Sequence, residues 1–395
     1  MSDSETTTEN PVPDTPAINL AEGTWLGKLV LGDGDYIPFN FSVAGEDLTV
    51  QNSSEKITTS ITIVDDSLHV KMPAFDSEFR FVSVEGNRVE GYWINNAKKD
   101  YRIPFVGYTT DTPEQRFDHA VNNSTNNFQG KWETTFDMKY DPYKAIGIFE
   151  QYKESVNGTF LTETGDYRFL QGNVINDSLF LSCFDGAHAF LFTAVLEGDS
   201  LRGQFRSGKH YTDSLWVAKL NEEFELTDPD SLTYIVEDAG PFEFSFPSIN
   251  EGDIAFPSDK YNGKVTIVQI FGSWCPNCKD EAEFYADLYN QFNSEGLEII
   301  GLGFEVPESL EDKKARVKDF ASSLDIPYDF AIGGSAKKDL ANKALPQLNH
   351  IMSFPTSVII DRQGKIRKIH TGFYGPGTGK YYSNYTERMT HFIKE

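Results

Sequence analysis

The stretch VTIVQIFGSWCPNCKDEAEFYADLYNQF, residues 265–292, decides the fold of the C-terminal part of the chain. Val265–Phe271 is an apolar, β-branched run, the profile of a central strand buried on both faces. It passes through Gly272-Ser273 into Trp274-Cys275-Pro276-Asn277-Cys278. Beyond the motif, apolar residues recur at Phe284, Leu288 and Phe292, which is a helical period. The cysteines therefore stand where a strand ends and a helix begins. Pro276 suits the first helical position, where its missing N–H removes no bond. Cys275 then lies at the helix N-terminus, where free N–H groups and the dipole favour a thiolate over the free-cysteine pKa of about 8.5. Cys278 falls one turn on, within disulfide reach. That spacing serves reversible dithiol chemistry.

Downstream, Leu297–Phe304 (LEIIGLGF) reads as a second parallel-type strand, and Ser309–Leu324 as a helix. Ser353-Phe354-Pro355-Thr356 leads into a strand at Ser357–Ile360. The turn Asp361-Arg362-Gln363-Gly364, a last strand Lys365–Thr371 and a helix from Tyr382 to Ile393 follow. The order is βαβα and then ββα. A zinc site would need a second ligand pair, and no other Cys-x-x-Cys or Cys-x-x-His is present. The third cysteine, Cys183, sits in an alternating strand-like run and reads as a small buried hydrophobe.

Residues 240–395 resemble the thioredoxin-like thiol–disulfide oxidoreductases of the TlpA/ResA type. The resemblance rests on Trp274-Cys275-Pro276-Asn277-Cys278, on Phe354-Pro355-Thr356, and on Phe244–Lys264, which looks like that family's extra N-terminal hairpin. It implies an α/β thioredoxin-like fold with Cys275 as nucleophile and Cys278 as resolving thiol. It also implies a cis Pro355 facing the dithiol, with Trp274, Pro276 and Phe354 completing the surface that meets substrate. Family members place an acidic residue at the end of the strand after the active-site helix. Glu305 holds that place and is expected to exchange protons with Cys278. The Pro-Asn dipeptide between the cysteines departs from the Gly-Pro of thioredoxin and bears on the reduction potential. No cofactor or metal is called for. The partners implied are a disulfide-containing protein and a separate thiol electron donor, such as a membrane thiol carrier.

The remaining half of the chain is of another kind. Gly23-Thr24-Trp25 returns as Gly130-Lys131-Trp132, and Asp66-Ser67-Leu68 as Asp177-Ser178-Leu179. Phe79–Trp93 returns as Phe190–Phe205, setting Gly91 against Gly203. A nearly constant offset over this length marks an internal repeat. Residues 20–108 and 128–221 are thus expected to be two copies of one β module, joined by Thr109–Asn127. Alternation such as Phe39, Phe41, Val43 and the turns Gly86-Asn87 and Gly198-Asp199 predict short antiparallel strands in a barrel or sandwich. Gly165–Leu170 and Phe184–His188 concentrate polar and aromatic residues at strand ends, and read as turn chemistry and aromatic packing.

The whole chain has 395 residues, enough for two or three domains, and a globular composition with 39% hydrophobic residues. Its net charge of −25 argues against a nucleic-acid partner. Residues 1–240 carry 39 acidic and 18 basic side chains, against 21 and 17 in the rest, so the charge changes near a domain boundary. Glu222–Glu225 and Asp228-Pro229-Asp230 suit an exposed connector. Residues 1–19, rich in Ser, Thr, Glu, Asp and Pro, are expected to be a flexible tether. Such a start resembles that of mature bacterial lipoproteins, and together with the domain type it makes the bacterial cell envelope, with a lipid anchor at the N-terminus, the expected location. Two functions compete: a disulfide reductase of the envelope, or a ligand-binding or adaptor protein in which the β modules are the working part.

Overall fold

The computed structural model describes residues 20–117 and 126–395. Residues 1–19 and part of the Thr109–Asn127 linker lie outside the described residues.

Each copy of the repeat closes a barrel of its own. In the first, eight antiparallel strands follow one another from Gly23–Val30 to Arg102–Thr109, and these two strands pair to seal the ring. In the second, Gly130–Phe136 pairs with both Tyr143–Tyr152 and Tyr211–Leu220. The ring is completed between Tyr143–Tyr152 and Ser155–Thr162, while the two-residue strand Gly165–Asp166 hangs off it. The repeated residues carry equivalent duties. Trp25 and Trp132 are both buried. Gly91 and Gly203 both let strands approach: a Cβ would lie 2.0 Å from the Arg80 carbonyl in one barrel and 2.1 Å from the Thr193 carbonyl in the other. Rings rather than a hollow fill the second barrel, with Phe136, Phe160, Phe192 and Trp216 among them.

The barrels abut. Phe184 from the outside of the second stacks on Phe39 of the first, with ring centroids 4.7 Å apart. Arg116 of the linker is buried in the seam. Its guanidinium donates to Asn40 Oδ1 (2.9 Å), the Ser182 carbonyl (3.0 Å) and the Gln51 carbonyl (2.6 Å). Burial pulls its pKa down to about 10.

The C-terminal sheet runs Asp329–Ser335, Leu297–Glu305, Val265–Phe271, Thr356–Ile360, Ile366–Thr371. The first three strands are parallel and the last two antiparallel, a thioredoxin-like sheet. The element order differs from the one read in the sequence by a third βα unit, Asp329–Ser335 followed by the helix Lys338–Ala344. The strand begins on an aspartate and ends through Gly333-Gly334, so its apolar run is too short to announce itself. Phe244–Pro247 and Asp253–Phe256 form the extra hairpin.

The acidic connector is exposed, as expected, and it is fastened to both domains. Glu222 accepts the Lys131 backbone N–H at 3.0 Å, and Glu225 pairs with Lys131 Nζ at 2.5 Å. Asp230 lies 2.7 Å from Lys368 Nζ and 2.6 Å from His370 Nδ1, tying the connector to the last strand. Basic partners from both domains, Lys131 and His370 buried and Lys368 half-buried, give these carboxylates defined places. No described helix is long and apolar enough to cross a membrane.

Candidate functional site

Strand Val265–Phe271 ends beneath a tight turn, and helix Pro276–Phe292 begins at once, with Cys275 as its N-cap. The Cys275 sulfur accepts the Cys278 N–H at 3.3 Å, the capping bond that a serine oxygen makes elsewhere. Its thiol points at the Phe354 carbonyl, 3.4 Å away, and the Phe354–Pro355 bond is cis. Both cysteines are free thiols. They are unequal: Cys275 keeps 7% of its surface exposed and Cys278 none. Burial first, and then the neighbouring Cys275, pushes the Cys278 thiol well above its ordinary pKa.

Trp274 is 37% exposed; its indole N–H donates to the Phe304 carbonyl at 3.0 Å and its ring stands edge-on to Phe354. Pro276 opens the helix, and Asn277 donates to the Phe373 carbonyl at 3.0 Å. Of the expected site residues, Phe354 is the one whose carbonyl meets the Cys275 sulfur, and Trp274 packs on its ring. Cys183 is buried in the core of the second barrel, apart from the core that holds Cys275 and Cys278.

Glu305 ends strand Leu297–Glu305 and is 1% exposed. Burial lifts its pKa to about 7 against two hydrogen bonds, from the Ser273 N–H and Ser273 Oγ, both 2.8 Å. Its carboxylate thus holds the turn that delivers Cys275. The carboxylate whose charge bears on Cys278 is a different one, Glu281, three residues on along the same helix. Glu281 is fully buried, and that burial lifts its pKa to about 8. It accepts from Gln269 Nε2 (2.9 Å) and Ser357 Oγ (3.1 Å), while Gln269 Nε2 also reaches the Cys278 carbonyl at 3.3 Å. Sequence reasoning passed over Glu281 because Lys279-Asp280-Glu281 looks like a solvated helix face. The available signal was its i+3 spacing from Cys278, which puts it on the same inward side as Cys278 and Tyr285.

Two stretches read as turn chemistry prove to be structural partners of this site. Arg168, from the second barrel, pairs with Asp280 of the active-site helix and Glu55 of the first barrel, and Asp185 of its own barrel pairs with the same guanidinium.

A dithiol at a strand-to-helix junction, beside a cis-proline loop on this sheet, defines a thioredoxin-like domain. The Redoxin family model matches residues 236–383, leaving the barrels outside it. Sporulation thiol-disulfide oxidoreductase A of Bacillus subtilis is 27% identical over 151 residues, 38% of this chain and 81% of that protein. Thiol-disulfide oxidoreductase ResA of Bacillus thuringiensis is 28% identical over 108 residues, 27% of this chain and 54% of that protein. The chain thus spans about half the length of that ResA relative. The crystal structure of StoA from Bacillus subtilis aligns with 39% of this chain and 98% of its own, at 23% identity and a TM-score of 0.28.

Proposed function

We propose that this chain is a thiol–disulfide oxidoreductase that reduces protein disulfides in the bacterial cell envelope. The observation that carries the reading is the inequality of the two thiols. Cys275, capping the helix and facing the cis-proline loop, can reach a substrate sulfur, whereas Cys278 is sealed behind it. Cys275 as thiolate attacks one sulfur of the substrate disulfide, forming a mixed disulfide and releasing the other sulfur as a thiolate. Cys278 then loses its proton and attacks the Cys275 sulfur, freeing the second substrate thiol. Two electrons leave the protein, which ends as the Cys275–Cys278 disulfide. A separate dithiol donor, such as a membrane thiol carrier, restores it.

Cys278 must give up a proton held tightly by burial. Glu281 is the group suited to take it and, in the return reaction, to give it back, because a carboxylic acid titrating at about 8 changes state near neutral pH. Glu305 acts through Ser273 on the turn, as a positioning residue, and its own titration near 7 modulates that hold. The envelope location is supported by the resemblance to the TlpA/ResA type. The adaptor alternative gains nothing from the barrel interior that has rings where a ligand would sit.

The test is trapping. Cys278→Ser removes the resolving thiol and should accumulate mixed disulfides through Cys275 in envelope extracts, while Cys275→Ser should accumulate none. Trapping through Cys278 alone would reverse the roles, and trapping by neither would remove the redox reading.

A further inference from the structure

Strands Ser155–Thr162 and Gly165–Asp166 are joined by only two residues, Glu163 and Thr164. The tip of this hairpin lies on the loops that surround the dithiol. The Thr164 carbonyl accepts from Ser353 Oγ at 2.8 Å, one residue before the Phe354–Pro355 bond. Gly165 sits so close to the helix start that a Cβ there would lie 2.1 Å from Asn277 Nδ2, between the two cysteines. Tyr374 Oη donates to the Thr162 carbonyl at 3.0 Å, and the Gly375 N–H donates to Asp166 Oδ2 at 2.6 Å. A Cβ on Gly372 would meet the Thr164 backbone at 3.0 Å. Two loops, before the cis-proline and after the last strand, and the helix start inside the cysteine motif are thus occupied by one hairpin.

A buried latch stands behind the tip. Arg168, 3% exposed, donates to Asp280 on the active-site helix and to Glu55 at 2.9 Å, and forms an ion pair with Asp185 at 3.2 Å. A guanidinium is suited to such a place because it stays charged and holds several carboxylates in fixed directions. What remains open is the Trp274 side. There Ser273, Trp274 and Glu305 line a cleft of about 1520 Å³ whose far wall is formed by the barrels, including Tyr167 and His188.

An extended polypeptide needs about 4.8 Å of lateral room to lie beside another backbone segment. Next to Ser353 that room is taken by the Thr164 backbone. We propose that the hairpin Leu161–Arg168 is a built-in specificity gate. With the hairpin seated, the dithiol takes low-molecular-weight disulfides that approach from the Trp274 side. An extended protein segment gains the cis-proline loop only when the hairpin lifts. This inference rests on the thiol–disulfide reading above.

The test uses the full chain, pre-reduced, with Gly165→Ala as a wedge and Arg168→Lys as a weakened latch that keeps the charge. Alkylation of Cys275 is followed by peptide mapping, with N-ethylmaleimide and with a maleimide-bearing polyethylene glycol. Single-turnover oxidation is followed with Ellman's disulfide and with insulin. In both variants the bulky reagent and insulin should gain about tenfold, the ratio equivalent to about 1.4 kcal/mol of hairpin docking. Reactions with the two small reagents should stay within about twofold. Equal rates of the bulky reagent in the unmodified chain and both variants would overturn the gate. Buried Cys183 is the internal control: if it becomes reactive in Gly165→Ala, that variant has unfolded and Arg168→Lys decides. Failure of the unmodified chain to reduce Ellman's disulfide would sink the redox reading, while the alkylation ratio would still decide the gate.

Discussion

Glu281→Gln should make the active-site domain lose less stability as pH rises. Glu281 is wholly buried, and its pKa moves from 4.5 to about 8 on folding. A folded value above the unfolded one means the stability contribution is complete below about pH 4.5 and is lost progressively as pH climbs through 8. Each pKa unit is worth about 1.36 kcal/mol. At pH 5 the unfolded chain has already given up most of this proton, while the folded chain still keeps about half of it at pH 8, so over that range the wild-type protein should lose about 3.5 kcal/mol that the glutamine variant does not. Other titrating groups are common to both chains and cancel in the comparison. Native-state hydrogen exchange on peptides from Val265–Phe271 reads the local opening free energy, and comparing the two proteins at one pH removes the chemistry of exchange itself. The difference between them should widen from pH 5 to pH 8 by the stated amount. A gap that stays constant within about 0.5 kcal/mol would show that Glu281 is not held protonated, and the proton-exchange role proposed for it would go with it.

Three further outcomes are expected. Glu305→Gln should erase an inflection near pH 7 from the rate of substrate reduction and slow the reaction, since Ser273 then loses a titrating acceptor; an unmoved pH–rate profile would refute this. Gly91→Ala should cost the first barrel about 3 kcal/mol, because the new methyl meets the Arg80 carbonyl, which is backbone and cannot rotate away. Urea unfolding of the β region reads this, and a midpoint like that of the unmodified chain would contradict the strand approach described. Under oxidising conditions Cys275 and Cys278 should be linked and Cys183 free, so that thiol titration before and after mild reduction differs by two groups. Any bridge to Cys183 would contradict its place in the second barrel.

Where local pattern and tertiary role agree, the sequence was readable. Val265–Phe271 has one reading, and a proline and two cysteines at the following helix start leave little freedom about the chemistry. The repeat was legible because duplication preserved the residues with strict geometric duties, Gly91 and Gly203 above all. Barrel closure was not legible, since it depends on which distant strands meet edge to edge. Glu281 was hidden because a carboxylate on a helix reads as a surface group until the strand beneath it is in place. Arg168 and Asp280 are 112 residues apart, and nothing in either neighbourhood announces the other. The strand Asp329–Ser335 was missed for its glycines, which suit a place where Phe304 packs against the backbone.

The sealing of both barrels has a consequence for how other proteins can approach. Most strands of the described residues have hydrogen-bonding neighbours on both sides, because the rings leave no first or last member. The open sheet has two flanks, and both are screened. Beside Asp329–Ser335 the backbone of Ser248 and Ile249 bonds to Ala331 and Phe330. Beside Ile366–Thr371 lies the short helix Pro229–Leu232, with Asp230 fastened to Lys368 and His370. At the two barrels and the five-stranded sheet a visiting chain therefore finds little free ladder to lengthen, which guards a strand-rich protein against self-association. Among the described residues the unpaired edges left are short ones, on the hairpin Phe244–Pro247 and Asp253–Phe256 and on Gly165–Asp166. Recognition by strand addition has little to build on for the same reason, and side chains and loop backbone are the surface on offer.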